Sequence, residues 1–155
     1  MSNRSQSDIP SFNLSLAVQY ASDAQNLPTR TQFRRWFKAA LQRDVQVALR
    51  IVDAAEGREL NNNYRGKDYA TNVLTFVYED QGLLTGDVVI CAPVVAKEAR
   101  EQHKELLAHY AHLSIHAMLH LQGYDHEKDA DAAAMETLET SLMLKLRYPD
   151  PYQET

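Results

Sequence analysis

The chain has 155 residues, a mass of 17.6 kDa and 45% apolar residues, which is enough material for one domain with a single core. Its 16 Lys and Arg residues against 21 Asp and Glu residues give a formal charge of −5, which as an average argues against a nucleic-acid partner. Because Cys91 is the only cysteine, an intramolecular disulfide is excluded and a reducing, cytoplasmic location is expected. With no apolar signal region and no long apolar stretch, we expect one soluble domain over 1–155 and no membrane partner.

The first half of the chain alternates strand and helix patterns. Apolar residues at every second position predict strands over 11–20 and 45–51. Between them, Thr29 is placed to cap an amphipathic helix whose arginines face outward. Asp53 and Glu56 have the spacing of a capping box, which predicts a short helix over about 54–63 that frays at its three asparagines.

The second half begins with strands over 73–78 and 83–91, joined by a turn and expected to form a hairpin. A helical period then predicts one helix around Val94 to Ala99, a second over 105–122 that ends at Gly123, and a third over about 129–146. This order indicates an α+β fold, a single domain with one mixed sheet of about four strands packed by about five helices.

The net charge conceals an asymmetry between the two halves. Residues 1–75 hold ten basic and seven acidic residues, a sum of +3, whereas residues 76–155 hold six and fourteen, a sum of −8. A basic face is therefore possible in the first half, although both charged runs are equally compatible with solvated helix surface. The first run contains Arg30, Arg34, Arg35, Lys38, Arg43 and Arg50, and the acidic run contains Asp125, Glu127, Asp129, Asp131, Glu136 and Glu139.

Three histidines have the spacing of a metal site. His116 and His120 lie one helical turn apart on one face, so both imidazoles can reach one ion. Gly123 ends the helix and lets the chain return His126 towards the same point. Three nitrogen ligands leave a coordination position for water, as catalytic zinc sites require. His112 lies on the same helix face and is interpreted as a neighbour of the ligands or a substrate contact.

The same histidine spacing occurs in metzincin zinc peptidases. Those enzymes carry a glutamate immediately after the first histidine as general base, and here that position is Ala117. A peptidase or amide hydrolase is thus the weaker interpretation, and any general base lies elsewhere unless the metal alone activates water.

Three segments together resemble a known family. The run HAMLHLQGYDH over 116–126, the segment NNNYRGKDYATNVLTF over 61–76 and LTGD over 84–87 closely resemble the YbeY endoribonuclease family, also called the rRNA maturation factor. The resemblance extends over nearly the whole chain, including the closing Asp150-Pro151-Tyr152. Ala117 stands where the family usually has Gly, and Thr75 and Val77-Tyr78 replace its usual Ser and Pro-Phe. These departures leave the predicted ligands intact.

The resemblance implies a zinc-dependent endoribonuclease specific for single strands, with one Zn²⁺ per chain. It also implies a role in 3′-end maturation of the small-subunit 16S rRNA and in ribosome quality control. The partners implied are this RNA and the small ribosomal subunit, and no DNA partner is expected. A ribosome assembly factor that binds without cutting, with a structural metal, is a further alternative.

By the same resemblance Arg65 is the functional arginine, in a loop between a helix and a strand. Its planar guanidinium could hold two phosphate oxygens and neutralise charge in the transition state, or could pair with Asp68 to order the loop. Lys67 is a second phosphate contact or loop surface, and Asp87 is a neighbour of the ligands or a turn residue. Asp125 could orient an imidazole or lie on the surface.

Overall fold

The computed structural model describes residues 11–124 and 128–153, which contain four strands and five helices. None of these helices is long and apolar enough to cross a membrane. In chain order the elements are β1 (Leu14–Ala21), α1 (Arg30–Ala39), β2 (Val45–Val52), α2 (Ala54–Arg65), β3 (Val73–Glu79), β4 (Leu84–Cys91), α3 (Ala92–Glu101), α4 (Leu106–Leu121) and α5 (Asp129–Lys145).

The strands form one open mixed sheet in the order β1-β2-β4-β3. Strands β1, β2 and β4 run parallel, and β3 is an antiparallel edge strand that pairs with β4 as the predicted hairpin. The α+β fold class, the four-stranded mixed sheet and the five helices are confirmed.

Helix α4 is the central element of the fold, because it packs against the sheet and against α1, α3 and α5. Its closest approach to the hairpin is at Gly86 of β4. A Cβ atom at Gly86 would lie 2.4 Å from the carbonyl oxygen of Phe76 and 2.9 Å from Cδ1 of Leu121. The absence of a side chain at Gly86 therefore allows the end of α4 to lie against the sheet.

The two predicted helix caps differ in outcome. Thr29 caps α1, as its position before the helix predicts, and forms a full capping box with Gln32. Asp53 precedes α2 but makes no side-chain cap, since its carboxylate accepts hydrogen bonds from the Ser22 hydroxyl and the Asp23 amide across the sheet. Glu56 forms an ion pair with Arg50 instead.

Helix α2 does not fray at its asparagines. Asn61 is buried and its Nδ2 donates to the carbonyl oxygen of Tyr69 at 2.8 Å, which stabilises the helix beyond the predicted end. The helix continues to Arg65, and Gly66 closes it with a left-handed φ of 69°. The prediction that Arg65 lies in a loop is therefore wrong, because Arg65 is the last helical residue.

Candidate metal and nuclease site

One face of α4 carries the histidines of the candidate site. The rings of His116 and His120 are parallel, with an interplanar angle of 6° and centroids 6.4 Å apart, as expected for residues one turn apart. Gly123 has a φ of 109° and ends the helix, with the Tyr124 amide donating to the carbonyl of Leu119. This helix end has the hydrogen bonds of a Schellman motif.

A buried carboxylate on α5 holds two of these histidines. Glu139 is 0% exposed, and its oxygens lie 2.5 Å from Nε2 of His112 and 3.1 Å from Nδ1 of His116. The hydroxyl of Tyr152 donates to the same carboxylate at 2.6 Å. Burial alone would raise the pKa of Glu139, but these hydrogen bonds outweigh burial and lower the pKa to about 2. Glu139 is therefore an anion that accepts hydrogen bonds from both imidazoles.

The hydrogen bonds select one tautomer for each candidate ligand. Nδ1 of His116 donates to the Glu139 carboxylate, and Nδ1 of His120 donates to the carbonyl oxygen of Tyr124 at 3.1 Å. A neutral imidazole that donates through Nδ1 carries its lone pair on Nε2. Metal-binding histidines are typically held in this way, by a carboxylate or a carbonyl behind the ring. The two side chains therefore fit the requirements of a metal site, with Nε2 as the ligand atom.

His112 has a different role from these two histidines. Its Nε2 donates to Glu139, so this nitrogen is not available as a ligand, and its Nδ1 is buried. The ring lies against Tyr152 with centroids 5.3 Å apart. His112 thus contacts the carboxylate that orients His116, and its role as a neighbour of metal ligands stays a prediction.

A second hydrogen-bonded chain lies one turn earlier on α4. Nε2 of the buried His109 lies 2.9 Å from Oε1 of Glu98, which also accepts from Nδ2 of Asn72 at 3.1 Å. Burial lowers the pKa of His109, and the contact with Glu98 partly offsets this effect. This chain joins α3 and the start of β3 to the histidine face.

The histidine face opens into a cavity of about 320 Å³. Asn72 and Val73 of the edge strand form one part of its lining, and Glu98, Lys104 and Tyr152 form another. His109, His112 and His116 line it from α4. A cavity at a candidate metal-binding residue provides space for a substrate.

Two of the predicted site residues, Asp125 and His126, lie outside the described residues. No group of three or more possible metal ligands occurs in residues 11–124 and 128–153, which contain two of the three predicted histidines. The third ligand remains a prediction.

Arg65 ends α2 and Lys67 follows it by two residues. Both are exposed, and neither is among the residues that line the cavity beside His116. Asp68 forms its ion pair with Arg58 at 2.7 Å, so the alternative pairing of Asp68 with Arg65 is not formed. Arg65 makes no ion pair with any carboxylate in the described part of the chain.

Asp87 lies in the middle of β4 and not in a turn. Gly86 faces α4, so the next side chain points to the opposite face of the sheet, where it lines a groove with Tyr64 and Glu56. Its carboxylate accepts a hydrogen bond from the hydroxyl of Tyr78 at 2.6 Å, which raises the pKa of Tyr78 to about 12. The turn role predicted for Asp87 is therefore wrong, and its role as a neighbour of the ligands stays a prediction.

Glu139 is the main residue that the sequence analysis missed, because the acidic run containing it reads as solvated surface. Met135 and Met143 lie one turn before and one turn after it, and both are buried. A carboxylate on the apolar stripe of a helix is a signal of a buried, hydrogen-bonded charge. The placement of Tyr152 against it depends on tertiary structure.

Comparisons with known proteins show the family of this chain. The family model described as Endoribonuclease YbeY matches residues 17–147. A protein from Chromobacterium violaceum is 59% identical over 149 residues, covering 91% of this chain and 89% of the relative. A protein from Nitrosomonas europaea is 58% identical over 139 residues, covering 90% and 85%. Both relatives carry the name Endoribonuclease YbeY.

A solved structure resembles this chain in fold. The solution structure of a Thermotoga maritima protein matches with a TM-score of 0.54 and 26% sequence identity, over 90% of this chain and 99% of that protein. The family match covers most of the chain, including the helix that carries His116 and His120. The chain therefore belongs to the YbeY family of endoribonucleases.

Proposed function

We propose that this protein is a metal-dependent endoribonuclease that hydrolyses single-stranded RNA at the histidine face of α4. Zinc is the proposed metal, with His116, His120 and His126 as ligands. The proposed substrate is small-subunit rRNA near its 3′ end, in the cytoplasm and on the small ribosomal subunit. Family membership supports the reaction class, since its members are named endoribonucleases.

The observation that carries this proposal is the fixed orientation of two imidazoles. Nδ1 of His116 donates to the Glu139 carboxylate at 3.1 Å. Nδ1 of His120 donates to the carbonyl oxygen of Tyr124, also at 3.1 Å. When bound, a divalent metal would polarise a phosphoryl oxygen and lower the pKa of water to about 7. Because Glu139 is an anion, it also makes His116 a stronger ligand for a metal cation.

Glu139 orients His116 and does not act as a general base in this proposal. Its oxygens already accept hydrogen bonds from His112, His116 and Tyr152, and its low pKa makes it a poor proton acceptor. Ala117 is fully buried, so the position of the metzincin glutamate faces the core and not the cavity. This burial disfavours a peptidase that uses the metzincin mechanism.

Arg65 is proposed to bind the phosphate that is cleaved, and Lys67 an adjacent phosphate. Arg65 is exposed at the carboxyl end of α2, and no carboxylate in the described residues competes for its guanidinium. A planar guanidinium can donate to two phosphate oxygens at once, which stabilises charge that develops during hydrolysis.

Cleavage of a labelled single-stranded RNA by purified protein tests the proposal. The wild type should cut this RNA and lose activity with a chelator, and His116→Ala should be inactive while it remains folded by circular dichroism. His103→Asn is the matched control, because His103 is an exposed histidine outside the predicted ligand set and asparagine tolerates its left-handed φ of 55°. Binding of the RNA without cleavage would favour an assembly factor and contradict the proposal.

A further inference from the structure

The basic residues of this chain differ in whether a carboxylate pairs with them. Arg50 and Arg58 are neutralised by ion pairs with Glu56 and Asp68. The segment 24–43, in contrast, contains no acidic residue, and none of its basic side chains pairs with a carboxylate in the described part of the chain. These residues form what we name the α1 basic surface: Arg30, Arg34, Arg35, Lys38 and Arg43.

Two arginines of the α1 basic surface are held in place by the edge strand β1. Arg30 donates to the carbonyl of Val18, and Arg34 donates to the carbonyl of Leu14, both at 3.3 Å. The two side chains line a groove of about 410 Å³ between α1 and β1. A guanidinium fixed through one donor loses less conformational freedom on binding, and its remaining N–H groups can donate to phosphate oxygens.

The helix geometry places three of these cations in one row. Arg30, Arg34 and Lys38 follow one another at intervals of four residues, so they share a face and are separated by about 6 Å along the axis. The apolar face of α1 is buried in the core, with Phe33, Trp36 and Phe37 at most 1% exposed. The outward face thus has charge but no apolar surface for membrane insertion, which favours a polyanion as partner.

The carboxyl end of α1 is attached to the end of α4 that carries His120. Oε1 of Gln122 accepts from the Gln42 amide at 2.7 Å, and Nε2 of Gln122 donates to the carbonyl of Ala40 at 2.8 Å. Nε2 of Gln42 donates to the hydroxyl of Tyr124, whose carbonyl holds His120. The carboxyl end of the row of cations therefore lies near the end of α4 that carries His120.

From these contacts we infer that the α1 basic surface binds the phosphate backbone of RNA that extends beyond the segment in the cleavage site. The inference rests on the proposed function for the identity of the polyanion. The surface contributes affinity and direction without base recognition, because contacts to phosphate carry no sequence information. It also explains how a protein of net charge −5 binds RNA, since the charge that matters is local.

The test compares two variants that each lose three positive charges. Arg30→Gln/Arg34→Gln/Lys38→Gln removes the row, and Lys97→Gln/Arg100→Gln/Lys145→Gln removes exposed charges on α3 and α5. Circular dichroism establishes that both fold. Fluorescence anisotropy with a single-stranded RNA of about 30 nucleotides then measures affinity between about 50 and 200 mM salt, with chelator present and RNA integrity checked on a gel.

In the row variant the slope of log affinity against log salt concentration should be less steep by about 2, because each of the three lost phosphate contacts contributes about 0.7. At 0.15 M salt this variant should bind the RNA roughly 50-fold more weakly than the wild type. The α3 and α5 variant should retain the wild-type slope. Equal slopes in the two variants would overturn the inference. Loss of binding to phosphatidylserine vesicles, with unchanged RNA binding, would overturn it in favour of a lipid partner.

The proposed function and this inference fail separately. If the α1 basic surface binds only RNA beyond the cleavage site, it should not affect an RNA too short to reach that surface. The two variants should cleave such an RNA at equal rates. A wild type that binds RNA with the expected salt slope but never cuts would contradict the proposed function and support the basic surface. A wild type that cuts, with unchanged slope in the row variant, would contradict the basic surface alone.

Discussion

The carboxylate of Glu139 lies 3.1 Å from Nδ1 of His116 and joins α5 to the histidine face of α4. This contact fixes the ring so that Nε2 is the atom presented to a ligand. It also places a buried negative charge beside His116, because Glu139 is 0% exposed and its pKa is lowered to about 2. Three hydrogen-bond donors to one carboxylate compensate for that burial.

Glu139→Gln should weaken metal binding while the chain remains folded. The neutral amide keeps the shape of the side chain but no longer makes His116 a stronger metal ligand. Loss of such a contact typically lowers metal affinity about 10–100-fold. Competition with a chromogenic chelator measures the affinity for zinc. Glu136→Gln on the exposed side of the same helix is the control. Equal affinities in the two variants would show that Glu139 has no part in metal binding.

Arg65→Ala should reduce turnover of RNA about 100–1,000-fold, which is the usual effect of removing a hydrogen-bond donor to the transition state. The stability should not change, because Arg65 is exposed and makes no ion pair in the described residues. Arg65→Lys should recover part of the binding but little of the turnover, since an ammonium cannot donate as a planar fork.

Arg58→Ala is the matched control for Arg65. It removes an exposed ion pair with Asp68, which is expected to contribute at most about 1 kcal/mol to stability. Single-turnover kinetics separate the effects of these variants on binding and on cleavage. Wild-type turnover in Arg65→Ala would remove Arg65 from the proposed mechanism.

Gly86→Ala should destabilise the fold by about 1–3 kcal/mol, the usual cost of an overpacked core. The new Cβ would lie 2.4 Å from the carbonyl oxygen of Phe76, a backbone atom that cannot move without disturbing the hairpin. Urea unfolding measures the change. Thr85→Ala, at the next position of the same strand, should cost less, and an equal cost at both positions would contradict the close packing of α4 on β4.

The stability of the fold should fall as the pH decreases through about 6.5, the usual pKa of histidine. Burial lowers the pKa of His109 in the folded state, so the unfolded chain takes up this proton at a higher pH than the folded chain does. His109 therefore contributes stability that is present above about 6.5 and is lost as the pH falls from that value towards its lower folded pKa.

His109→Gln keeps a hydrogen-bond donor near Glu98 but does not titrate, so it should lessen this loss. His103→Asn, at an exposed position, should retain the wild-type dependence on pH. Thermal unfolding in buffers between about pH 5 and 8 makes the comparison. Identical curves for the wild type and His109→Gln would show that burial of His109 has no effect on stability.

Local sequence patterns predicted the elements well, because the strands of this sheet alternate and the helices have clear apolar stripes. Thr29 caps α1 as predicted, and Gln32 in the same turn completes a capping box that was not predicted. Asp53 shows where local reasoning fails. Its carboxylate binds Ser22 and Asp23, thirty positions earlier in the chain, and a local pattern contains no information about those partners.

The same limit on local sequence patterns applies to the candidate site. The spacing of His116 and His120 predicted that they lie on one face of a helix, because that relationship depends only on helix geometry. Glu139 and Tyr152 come to them from other parts of the chain, so their contact depends on the packing of α5 on α4. The sheet face to which Asp87 points could not be predicted, because it depends on where the helices pack.

The most direct test of the central claim is the dependence of RNA cleavage on metal at the histidine face. Protein stripped of metal with a chelator and then titrated with zinc should recover cleavage of single-stranded RNA, and recovery should be complete at about one ion per chain. His120→Ala should bind no zinc in the same range and should cut no RNA at any zinc concentration. Full cleavage by the stripped protein, or by His120→Ala, would contradict the account.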